Sequence, residues 1–75
     1  MADWIKLTYE RNTYVIDLDR IGAFCHSPNG KISFFLVDGN TTIVVTQQGD
    51  PKTYQALLDY IETKTGFSLA PTRVP

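Results

Sequence analysis

Apolar residues alternate with period two in several short segments between positions 4 and 46, then switch to the three-and-four spacing of a helix after residue 50. Ile5, Leu7 and Tyr9 alternate with Trp4, Lys6 and Thr8, predicting a strand over 4–9. The polar stretch Glu10-Arg11-Asn12 predicts a tight reversal. A second strand is expected over 13–17, with Tyr14 and Ile16 on one face and Val15 on the other. Leu18-Asp19-Arg20 breaks the alternation and predicts a bend or bulge. Residues 21–26 read as strand again. Ser27-Pro28-Asn29-Gly30 is a strong turn, because Pro fixes φ and Asn-Gly accepts left-handed backbone. Residues 31–37 and 41–46 form the last two strand candidates, joined by the hairpin signal Asp38-Gly39-Asn40. Consecutive strands connected this way predict an antiparallel meander of four or five strands.

The spacing predicts one helix over 51–65. Asp50 suits the N-cap and Pro51 the first helical position. Tyr54, Leu57, Leu58 and Ile61 fall at i, i+3, i+4 and i+7, a single stripe suited to lying on a sheet. Gly66 is placed to end the helix in a left-handed conformation, with Phe67 folding back on Ile61. The fold class is therefore α+β, a curved antiparallel meander with one C-terminal helix across a face. Residues 1–67 make a single domain, and the Pro-containing stretch 68–75 reads as an extended, mobile tail.

The strands carry more apolar surface than one helix can cover. Ile32, Phe34 and Leu36 point one way while Phe35 and Val37 point the other, and Val44 opposes Ile43 and Val45. Assigning Phe24 the parity of Phe35, Val37 and Val44, with Trp4 joining from the first strand, gives an uncovered apolar face. A patch of that kind marks an interaction surface. Two packed copies that each bury about 400 Å² of apolar surface would gain roughly 20 kcal/mol gross. Association costs an estimated ~4–15 kcal/mol. The expected partner is a second copy or another protein. The alternative is an aromatic platform for single-stranded nucleic acid, but Lys6 is the one cation placed near it.

Seventy-five residues with a formal charge of −1 and seven scattered Lys and Arg offer no basic stripe for a duplex. The single cysteine, Cys25, excludes an internal disulfide and gives no metal-ligand spacing. Cys25 reads as a small buried hydrophobe. His26, its strand neighbour, points to the opposite face, so the two do not form a nucleophile–base pair. Asp17 and Asp19 read as bend-shaping residues, with Arg20 as a local ion-pair partner. No glycine cluster cradles phosphate, and no serine sits in a nucleophile elbow. Neither catalysis nor a cofactor or metal is expected. No run approaches a membrane span and no signal segment opens the chain, so a cytoplasmic location is expected.

The layout resembles that of the small flagellar and swarming-associated FlbD-type proteins. The likeness rests on Trp4-Ile5-Lys6-Leu7-Thr8, the stretch from Tyr14 to Ile21, Asp38-Gly39-Asn40, Ile43-Val44-Val45 and the terminal helix. It runs from Ile5 to about Glu62. The turn at 27–30, the pair Phe34-Phe35 and the Pro-containing tail depart from it. The resemblance implies no catalytic residues and carries no site over.

Overall fold

The computed structural model describes residues 3–69. It is an α+β fold of five antiparallel strands and one C-terminal helix. Strands β1 (Trp4–Tyr9) and β2 (Asn12–Asp17) form a hairpin. Strands β3 (Phe24–Ser27), β4 (Lys31–Phe35) and β5 (Thr42–Thr46) form a three-stranded meander in the order β3-β4-β5. The expected bend at Leu18–Arg20 is a single 3-10 turn, and it divides the strands into two sheets. Asp17 caps that turn by accepting a hydrogen bond from the Asp19 amide at 3.1 Å. The Leu18 amide donates to the Asp3 carbonyl at 2.8 Å, which ties the start of the chain to the turn.

Two-residue and three-residue loops set the registers. Tyr9 pairs with Asn12, leaving Glu10 and Arg11 as the β1–β2 loop, with φ of 49° and 69°. Positive φ at both central residues belongs to the primed hairpin turns, whose twist matches that of the strands. Ser27 pairs with Lys31 around a three-residue loop in which Gly30 takes φ of 88°. The Gly30 carbonyl then accepts from the Gln47 amide at 2.9 Å, joining the far ends of β3–β4 and β5.

Helix α1 spans Pro51–Thr65, the span its periodicity predicts. The Asp50 carboxylate accepts from the Thr53 amide at 3.2 Å, satisfying one of the free donors of the first turn. Gly66 closes the helix at φ 81°, its amide donating to the Glu62 carbonyl at 2.8 Å. Phe67 does not fold back as expected but stays 72% exposed, its amide turned to the Thr65 hydroxyl at 3.1 Å. Tyr54, Leu57, Leu58 and Ile61 are buried against the sheet face that carries Ile32, Phe34, Ile43 and Val45. Leu7, Ile16 and Leu18 complete this core from the hairpin side. Ser68 is exposed and Leu69 is partly buried against this core, whereas residues 70–75 of the expected tail lie outside the described residues.

A second tie joins the helix to the hairpin. The Tyr60 hydroxyl donates to Asp19 Oδ1 at 2.6 Å, and Lys64 Nζ lies 3.3 Å from Asp3 and 3.7 Å from Asp19. The Tyr60 hydrogen bond, helped by Lys64, holds the Asp19 carboxyl below its ordinary range. Burial and the bond to Asp19 push the Tyr60 hydroxyl up to about 12. Asp19 therefore pairs with residues 41 and 45 positions away, not with neighbouring Arg20 as the sequence suggested.

Candidate interaction surface

Hairpin pairing puts Trp4 opposite Asp17 and Lys6 opposite Val15, so these four share the face turned away from the core. Trp4 is 59% exposed and Val15 63% exposed. The loop after β4 brings Val37, 70% exposed, to the same place. Together Trp4, Val15 and Val37 rim a groove of about 220 Å³ floored by Ile21 and Leu36. Its charged residues are Asp17 and Arg20. Among the described residues the ion pairs belong to Lys64, so Arg20 has no carboxylate partner.

The position of Val37 is fixed by its own loop. Asp38 accepts from the Asn40 amide at 2.9 Å, the Thr41 amide at 3.0 Å and the Thr41 hydroxyl at 2.9 Å. These three bonds hold the Asp38 carboxyl below its ordinary range. Gly39 supplies the positive φ of 76° that the turn requires, and the Leu36 amide donates to the Thr41 carbonyl at 2.9 Å. A preorganised loop thus presents an apolar side chain to solvent, and ordering it adds little entropy loss on binding.

Of the five surface residues expected from sequence, the structure brings Trp4 and Val37 into this one groove. Phe35 is 65% exposed at the end of β4, just before Leu36 and Val37. Val44 lies half-buried on the same outer face of the meander, opposite Ser33. Phe24 does not belong there. It pairs with Phe34 on the helix side, half-buried, its ring 5.4 Å from Phe34 edge-on and 6.2 Å from Tyr60. The reason is register, because three residues after the 3-10 turn lie outside any strand and β3 begins only at Phe24.

The same shift corrects Cys25, which is exposed on the outer face opposite Ser33 and not buried. His26 faces inward, its Nε2 3.0 Å from the Tyr54 hydroxyl, so the pair does point to opposite sides. Val15 is a groove residue that the sequence reading left off the surface. Its parity opposite Tyr14 and Ile16 was the available signal.

Among the described residues no group of three or more metal-ligating side chains gathers, and no helix is long and apolar enough to cross a membrane. Comparison of the chain with protein-family models, curated proteins and solved structures finds no match.

Proposed function

We propose that this chain is a small non-catalytic protein–protein interaction module that docks through the groove of Trp4, Val15 and Val37. The observation that supports it is the convergence of three large exposed apolar residues, from three separate segments, on one groove. Isolated exposed hydrophobes are ordinary, but a contiguous set rimmed by opposite charges is the composition of a contact surface. Aromatic residues with a large flat area, such as Trp4, anchor such contacts.

The chemistry of the groove favours a protein over a reaction or a nucleic acid. None of the described residues lining it is a Ser, Cys, His or Lys. The alternative, single strands stacked on exposed aromatics, would use Trp4 with Arg20 and Lys6. Asp17, directly opposite Trp4, would repel the phosphates, and Val15, Ile21, Leu36 and Val37 offer no stacking plane.

A photo-crosslinking amino acid at Val37 in producing cells tests the reading, with the same probe at exposed Lys52 as control. Protein adducts are expected at Val37 and not at Lys52. No protein adduct at Val37, or a nucleic-acid adduct there, would overturn it.

A further inference from the structure

We infer that the occupant of the groove is a second copy of this chain, bound about a two-fold axis that sets Asp17 of each copy against Arg20 of the other. The inference rests on the interaction reading above and names its partner. Charge carries it first. The groove is flanked by one acid and one base. A two-fold interface is isologous: if residue i of one copy meets residue j of the other, j also meets i. A surface that holds one negative and one positive group beside an apolar centre is complementary to itself when the axis sets each charge against its opposite. The same groove turned towards a uniformly acidic or basic partner would leave one of its charges facing a like charge. Arg20 has no carboxylate within ion-pair distance in its own chain among the described residues, so its guanidinium is available to a partner.

Area carries it second. Trp4, Val15, Phe35 and Val37 are 59–70% exposed. An aromatic side chain spans about 150–250 Å² and a valine less, so these two aromatics and two valines leave on the order of 400 Å² of apolar surface open. A standard interface buries about 800 Å² per partner, of which roughly 450–500 Å² is apolar. The groove side chains together with Phe35, at the end of β4, therefore come close to the apolar share of one side of an ordinary dimer. A chain of 75 residues also gains proportionally more than a large one from burying surface in a partner.

The test is sedimentation equilibrium of the full chain with charge variants. Wild type is expected to dimerise. Asp17→Lys alone and Arg20→Glu alone each set like charges against each other twice, and each should weaken the dimer roughly tenfold or more. Mixed in equal amounts, the two variants should form a heterodimer close to wild-type affinity, because every contact is again opposite in sign. Asp17 also caps the 3-10 turn, so Asp17→Lys requires a melting curve. If it fails to fold, Arg20→Glu with Val37→Asp, at an exposed turn position, decides the matter by shifting dimer to monomer. A wild type that stays monomeric at about 1 mM overturns the inference. So does a dimer indifferent to Arg20→Glu and Val37→Asp, or two folded variants that do not rescue each other. A monomer that still gives a protein adduct at Val37, of a mass other than twice the chain, leaves the interaction reading standing and removes the second copy as its partner.

Discussion

Replacing Glu10-Arg11 by Asn-Gly should stabilise the protein, and the gain follows from two backbone angles. Both residues hold positive φ, 49° and 69°, with no glycine in the loop. The left-handed region costs an L-residue with a Cβ roughly 1–2 kcal/mol. Glycine removes that cost at position 11, but the unfolded chain gains freedom worth about 0.5–1 kcal/mol. Asparagine tolerates the region better than glutamate at position 10. The net expectation for Glu10→Asn with Arg11→Gly is about 1 kcal/mol, or about 4–8 °C in Tm for a domain this size. Thermal unfolding followed by circular dichroism measures it, with Arg11→Val as the opposite control, since a branched side chain suits that angle worst. The turn also has functional weight. It fixes the register that puts Trp4 and Val15 on one face, and a slip by one residue would send them to opposite faces. A Tm unchanged or lowered by Asn-Gly would mean that the hairpin does not turn at Glu10 and Arg11.

Leu57, fully buried on the sheet-facing side of the helix, should lose about 2–5 kcal/mol as Leu57→Ala in urea unfolding, and Leu58 should fall in the same range. Asp50→Ala removes the cap on the Thr53 amide and should cost about 1 kcal/mol by the same measurement. The Tyr60–Asp19–Lys64 tie makes stability fall at both ends of the pH scale. Asp19 lies below its ordinary value in the folded chain, so its contribution is present above the unfolded pKa and is lost as pH falls through the folded one. Tyr60 is raised from 10 to about 12, so its contribution is full below pH 10 and is lost as pH rises towards 12. Melting temperatures across that window should fall less steeply for Tyr60→Phe than for wild type, and parallel curves would contradict the tie.

The elements were legible where local chemistry and periodicity agree. Asp50, Pro51, the stripe from Tyr54 to Ile61 and Gly66 each specify the helix independently, and the structure follows all of them. The turns at Asp38–Gly39 and Ser27–Gly30 were likewise written in residues that suit few other conformations. Face assignment failed where a strand followed a break. Parity counts only along unbroken backbone, and the 3-10 turn with three extended residues after it erased the phase at Phe24 and Cys25. The clamp of Asp19 by Tyr60 and Lys64 has no local signature, since its partners come together only when the helix docks. The groove was half legible. Trp4, Val15 and Val37 each had a solvent-facing parity, but their convergence depends on how the two sheets meet.

Trp4 is the chain's single tryptophan and stands at the rim of the groove, so its fluorescence reports directly on whether a second copy covers that surface. The emission maximum should move to shorter wavelength as protein concentration rises through the dimerisation range, and Val37→Asp should abolish the shift. An emission maximum fixed at its dilute value at every concentration, in a protein shown to be dimeric by mass, would place the contact elsewhere and contradict the account.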